Sequence, residues 1–570
     1  MQHDLIIRNA TIVDGTGAAA RRGDVAVTDG RIVEVGTVVE GATARRDIDA
    51  DGLVLTPGFV DVHTHYDGQV TWDPELTPSS WHGVTTIVMG NCGVGFAPVR
   101  PGGEQFLIEL MEGVEDIPGT ALAEGIDWRW ESFGEYLDAL DTTPRVMDVA
   151  AQVPHAALRA YVLGDRAHEP AEADEIEDMA RLAEDALRAG AIGVTTSRTF
   201  IHRSKHGVVP GTYAPPDEVL ALGDAIARAG HGVFQLISDR PRDDEERGWM
   251  IEIARRTGGT VTYSMAQSQP NTDDYLTELA DAEALQAKGI NIVPQVPTRP
   301  TGMLFGLESS LHPFLTHPTY RHTLKSLPLA ERVAMMQRPE VRAALLSEEA
   351  QTGSAIARLL ISRFDQIFPL GDPPDYEPPA SASVAAVAAR EGRRPEEIVL
   401  DWMLENEGKT LLFAPLSSYA DGDHEAIRRM MTSSSSLLGL GDGGAHCGLI
   451  CDASMPTTLM THWVRDRTRG ERLPLELAVH LQTARPAAVY GFPDRGSVEV
   501  GKRADLNLID VDGLRLHPPE MVYDLPAGGR RLIQRADGYK ATFVAGEQTF
   551  EDGIATGARP GALVRAPITR

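Results

Sequence analysis

Apolar residues follow two different rhythms along this chain. At its start, LIIRNATIVDG and VAVTDGRIVEVG alternate apolar and polar positions, with Asp29-Gly30 between two such runs, which predicts a β-hairpin and antiparallel β structure over residues 1–56. The same texture returns in GSVEVGKRADLNLID (496–510) and YKATFVAGEQTFEDG (539–553), with turns expected at Gly501 and Gly546. Between the ends, buried runs of strand length alternate with helical stretches: 58–65, 84–91, 145–153, 191–198, 232–238, 260–267, 290–296 and 437–443. Eight such runs predict an α/β fold, a (β/α)8 TIM-like barrel. The helices are expected at 172–190, with Ile176, Met179, Ala183 and Leu187 on one face, and at 215–230, entered through prolines and left at Gly230.

Neither end has enough strands to bury an apolar face alone, so the two are expected to join in one small β-sandwich, residues 1–56 with 485–570, beside a barrel of residues 57–484. The stretch from about 300 to 400, with GDPPDYEPPAS inside it, breaks the rhythm and reads as an insertion over the barrel mouth.

Composition narrows the partners. The chain has 570 residues and a formal charge of -29, which repels phosphate backbones and anionic lipid, so nucleic acid and membrane are not expected. Cys92, Cys447 and Cys451 are too few and too uneven for a disulfide framework. No leader pattern opens the sequence and no run of eighteen apolar residues occurs, so a cytoplasmic location is expected; a homo-oligomer is left open.

His63 and His65 are two apart on the first buried run, and the period of a strand turns both to one face. An HxH pair alone is a weak motif. In its context, TPGFVDVHTH followed by GVTTIVMGNCG resembles the amidohydrolase superfamily, and more closely its N-acyl-D-amino-acid deacylase (D-aminoacylase) branch. The resemblance implies a metal-binding pair at His63 and His65, a metal ligand at Cys92 and, from GLGDGGAH, the aspartate of the eighth strand at Asp442. TARPAAVYGFPDRGSVEVGKRADLNLID (483–510) resembles the superfamily's closing segment. The branch has histidine ligands ending the fifth and sixth strands; here Ile237 and Met265 stand at those places, and the fourth run has no lysine. The implied site therefore holds a single metal.

The chemistry is coherent on its own terms. Imidazole, thiolate and carboxylate are ligand types zinc accepts, and strand ends of a barrel converge on one mouth. Zn2+ is the expected cofactor, with another divalent ion open, and Asp442 is assigned proton transfer as base and then acid. For substrate binding the candidates are Arg198, Arg299, Lys205, His155 and His446, the last as a donor to an oxyanion. His202 and His206 follow the fourth run as further candidate ligands; Cys447 and Cys451 read as structural. The expected function is hydrolysis of a non-peptide C–N bond in a small-molecule amide, foremost deacylation of an N-acyl amino acid. A cyclic amide, as in hydantoinases and dihydroorotases, and a non-catalytic small-ligand binder are the alternatives.

Overall fold

Two hydrogen-bonded assemblies organise the chain, one built from its ends and one from its middle. This computed structural model describes residues 2–37, 41–353, 355–439 and 441–566. Residue 440 of the eighth predicted run, residue 354 of the insertion, and residues 1, 38–40 and 567–570 of the terminal segments lie outside the described residues.

Strands from both termini occupy one nine-stranded sheet, joined where Val54–Pro57 pairs antiparallel with Leu506–Ile509. The expected hairpin links Arg21–Thr28 to Arg31–Gly36 through Asp29 (φ 50°) and Gly30 (φ 71°), the left-handed pair that matches the twist of adjoining strands. Leu5, Ile7, Val25, Val27, Leu55, Leu506, Leu508 and Phe543 form a fully buried core on this sheet.

The middle supplies eight parallel strands in chain order: β1 (Phe59–Asp61), β2 (Val84–Met89), β3 (Asp148–Ala151, continued by Val153–Pro154), β4 (Gly193–Arg198), β5 (Val233–Ser238), β6 (Thr260–Ser264), β7 (Asn291–Val296) and β8 (Leu437–Leu438). Each pairs with the next. The ladder returns to its start after β8, where the Asp442 amide donates to the His63 carbonyl (3.0 Å), the His65 amide donates to the Gly443 carbonyl (2.7 Å), and Thr64 bridges Gly443 in parallel. β1 and β8 are shorter than the sequence predicts because the chain leaves extended geometry at the chemistry-bearing residues; Asp442 has φ 44°.

Helices cover the outside. Ala173–Arg188 starts on a Glu172/Glu175 capping box and buries Met179, Ala183 and Leu187, while Ile176 is half-buried. Pro216–Ala229 ends at Gly230 in the left-handed region (φ 79°). Val60, Val88, Ala150, Val233, Val293 and Leu437 fill the inside with Tyr490 and Phe492 from the closing segment. Burying each of the valines and Leu437 contributes about 1.5–3 kcal/mol.

The insertion is longer than the sequence suggests. Leu412–Pro415 pairs back onto Gly302–Phe305, and helices between them enclose a separate core that includes Phe305, Tyr320, Met336 and Val399. Its Leu304 and Ser310 amides donate to the carbonyls of Leu449 and Gly448, both at 2.8 Å, which ties it to the loop after β8. Residues 561–566 run back along β3, where Val564 N–H donates to Val149 O (2.7 Å). Beside them Arg495 and Arg503 grip the buried Asp148 at 2.7 and 2.9 Å. Among the described residues no helix is long and apolar enough to cross a membrane.

Candidate metal centre

His63 and His65 leave the end of β1 with ring centroids 5.5 Å apart. Cys92 reaches them through a tight turn after β2, with Gly90 at φ 82° and Cys92 at φ 57°. A Cβ on Gly90 would lie 2.2 Å from the Gln152 carbonyl oxygen, so the close approach requires glycine there. The Cys92 amide donates to Gln235 Oε1 at 3.1 Å, and its Sγ lies 3.2 Å from His63 Nε2. One ligand atom each from His63, His65 and Cys92 falls within 4.8 Å of the others, and all three side chains are buried. Asp442 Oδ1 completes the group at 3.5 Å from His63 Nε2 and 3.7 Å from His65 Nε2. A Cβ on Gly441 would meet the Asp61 carboxylate at 2.2 Å, and one on Gly443 would meet Ser79 at 2.4 Å, which accounts for the glycines around Asp442.

The tautomer of His63 is set from behind. Gln295 Nε2 donates to the Tyr490 hydroxyl at 2.9 Å, which leaves Gln295 Oε1 to accept from His63 Nδ1 at 2.8 Å. The Nε2 lone pair of His63 therefore faces the cluster. Behind His65 lies Glu115, fully buried, with Oε1 3.4 Å from His65 Nδ1 and Oε2 3.6 Å from His446 Nε2.

Charge in this pocket follows from burial and proximity. Burial pushes His63 down to about 4 and Cys92 up to about 12. Burial would lower His65 too, but the Glu115 charge holds it well above the usual imidazole value. Burial would raise Asp442, yet the rings of His65, His63 and His446 keep it well below the ordinary carboxylate range, so it is ionised. Two imidazoles, a thiol that ionises only beside a cation, and an ionised carboxylate fit a divalent ion of the zinc class. The buried His65 Nδ1 and Glu115 Oε1 also lack hydrogen-bond partners among the described residues.

The other predicted residues lie elsewhere or are engaged. Ile237 shares a strand face with Gln235, and Met265 is buried just past β6; neither adds a ligand. His202 is buried, with Nδ1 3.1 Å from Ser197 Oγ, and its ring is pushed down to about 3, first by burial and then by the neighbouring imidazoles. His446 has a quarter of its side chain exposed, at φ 52°, beside Glu115. The remaining four spend their polar atoms on other groups of the chain, three of them inside the fold. Both His155 nitrogens are taken, by Thr196 (2.9 Å) and Glu218 (2.8 Å). Arg198 is held by Glu246 and the Gly211 and Ala214 carbonyls. Arg299 is buried on Ser454, Thr458, the Cys451 carbonyl and Asp452, with its guanidinium 3.9 Å from the Tyr376 ring centre. Lys205 pairs with Glu109 at 2.6 Å on the surface, as does His206. Cys447 and Cys451 are buried and unpaired. Sequence reading missed Glu115 and Gln295, which carry no motif: one ends a helix, the other sits one residue before the end of a largely apolar strand.

Comparison with known proteins places the chain in a family. The model of the Amidohydrolase family matches residues 46–550. The D-aminoacylase of Alcaligenes xylosoxydans xylosoxydans is 27% identical, over 98% of this chain and 97% of that protein. The N-acyl-D-aspartate deacylase of the same organism is 28% identical, over 99% and 95%. Among solved structures, N-acyl-D-glutamate deacylase from Bordetella bronchiseptica, complexed with zinc and a phosphonate mimic of the tetrahedral intermediate, shares the fold: TM-score 0.64, 24% identity, 99% of this chain and 100% of that one.

Proposed function

Because the chain belongs to the amidohydrolase family, we propose that it is a metal-dependent hydrolase of non-peptide C–N bonds that removes the acyl group from an N-acyl amino acid. The observation that carries this reading is the convergence of His63, His65 and Cys92 within 4.8 Å, with ionised Asp442 beside them. The deacylase relatives, matched end to end, support the substrate class.

His63, His65, Cys92 and Asp442 would hold one zinc ion. Bound there, zinc supplies a Lewis acid and brings a water pKa to about 7. Asp442 takes the proton of the attacking water and returns it to the leaving amine. His446, partly exposed at the cluster, donates to the oxygen that gains charge as the carbonyl carbon becomes tetrahedral. Glu115 steadies both His65 and His446, and His202, neutral through burial, lends the wall a polar face without adding charge. The eight-strand ring is read as a TIM-type barrel spanning about residues 57–484, with residues 1–56 and 485–570 as its β companion; the shared terminal sheet supports that division. Three unpaired cysteines favour a reducing, cytoplasmic setting.

The test is turnover of a panel of N-acyl-D- and N-acyl-L-amino acids against cyclic ureides, before and after chelation. Chelator-sensitive hydrolysis of linear N-acyl substrates is expected. Cleavage of the cyclic amides alone, or activity indifferent to chelation in protein shown to be metal-free, would overturn the proposal.

A further inference from the structure

A second convergence of ligand atoms lies away from the strand-end cluster. Glu377 comes from the proline-rich part of the insertion, His424 caps the helix Glu425–Thr432, and His462 belongs to the helical stretch Leu459–Asp466 after β8. Glu377 Oε2 lies 3.1 Å from His462 Nε2 and 3.9 Å from His424 Nδ1, and the two ring nitrogens are 3.2 Å apart. The point equidistant from those three atoms is about 2.0 Å from each, the length of a zinc–nitrogen or zinc–oxygen bond.

The protons of the cluster leave lone pairs turned toward one point. His424 Nε2 faces the Tyr376 carbonyl at 2.8 Å, and a carbonyl only accepts, so the proton of the neutral ring is on Nε2 and a lone pair is on Nδ1. Glu377 Oε1 already accepts from the His424 amide at 2.8 Å and from Arg467 at 3.2 Å. His462 Nε2, with at most one proton, thus faces two acceptors, Nδ1 of His424 and Oε2 of Glu377. A cation among the three satisfies all of them. Arg467 Nε also donates to Oε2 at 3.3 Å and opposes a cation there; Glu425, 3.8 Å from the same guanidinium, offsets part of that repulsion.

We propose that Glu377, His424 and His462 form a second, structural site for a zinc-class divalent cation, which staples the insertion to the segments flanking β8. His424 and Glu377 are buried, while His462 borders a cavity of about 850 Å³ between the insertion and residues 512–516, from which water supplies the fourth ligand. The proposal is independent of the catalytic reading, because these residues touch none of the strand-end ligands.

Zinc content and thermal unfolding test it. Protein purified without chelator and dialysed should hold one more zinc equivalent than His462→Ala or Glu377→Gln, with amide hydrolysis in the variants within about twofold of the parent. In a Cys92→Ala background, which weakens the strand-end cluster, added Zn2+ should still raise the unfolding midpoint, and in Cys92→Ala/His462→Ala that rise should be lost. Equal zinc content in parent and folded variants, or the same zinc-dependent rise with and without His462, would overturn it. Should His462→Ala fail to fold, Glu377→Gln takes its place in the Cys92→Ala comparison: loss of the zinc-dependent rise supports the site, and an unchanged rise refutes it.

Discussion

At the scale of single residues, the proposed function rests on which groups of the centre carry protons. Asp442 is held ionised by the imidazoles around it, the state that the proposed role of base requires. Asp442→Asn keeps the size and removes the basicity; turnover should fall by about 10²–10⁴ while the metal, still held by His63, His65 and Cys92, is retained. Steady-state kinetics on metal-quantified protein checks this, and a loss under tenfold would move proton transfer to another group. Gln295 acts one step back, by fixing which nitrogen of His63 bears the lone pair. Gln295→Leu should weaken metal affinity by about 10–100-fold, read by chelator competition, with a much smaller change in the kcat of the fully loaded enzyme. Neither Gln295 nor Glu115 was legible in the sequence, because a second layer is recognised by what it touches, and those contacts join positions hundreds of residues apart. Of the candidate ligands, His63 and His65 were legible from the HxH spacing on one strand face, while Cys92 and Asp442 were legible only through the family resemblance of the segments around them.

Elements join through buried polar pairs as much as through apolar packing. His155, at the end of β3, bridges Thr196 on β4 to Glu218 on the helix Pro216–Ala229, and Arg159 pairs with the same carboxylate. Burial would raise Glu218, but His155 and Arg159 bring it down to about 2. Its folded-state value lies below the unfolded one, so its stabilisation is full above about pH 4.5 and is lost as pH falls toward 2. Glu218→Gln should lower the midpoint at neutral pH, since it leaves Arg159 buried without its partner, at about 3–5 kcal/mol. It should also flatten the acid limb by up to about 1.4 kcal/mol per pH unit between pH 4.5 and 2. Thermal melts across that range measure both, and parallel acid limbs for variant and parent would refute the assignment. At this scale the sequence indicated strand order and helix faces well, since period and capping are local. It underestimated the insertion because the pairing of Leu412–Pro415 with Gly302–Phe305 spans more than a hundred residues, and both runs are too short to announce themselves.

On the scale of the whole molecule the two chain ends are one structural unit. Val54–Pro57 lies between strands from residues 2–12 and 506–509, so a chain beginning at residue 57 leaves Leu506–Ile509 without that neighbour and exposes the apolar face of Leu506, Leu508 and Phe543. Such a truncation should be insoluble or melt far below the parent; a soluble, cooperative 57–570 fragment, judged by gel filtration and calorimetry, would contradict this. The link from Tyr490 through Gln295 to His63 also has a consequence in time. A ribosome releases His63 and His65 early, but the ring that carries them closes only when Asp442 and Gly443 meet β1, and the proton on His63 is placed only once Tyr490 has emerged. Nascent chains therefore carry His63 and His65 for more than four hundred residues of synthesis before the centre is complete.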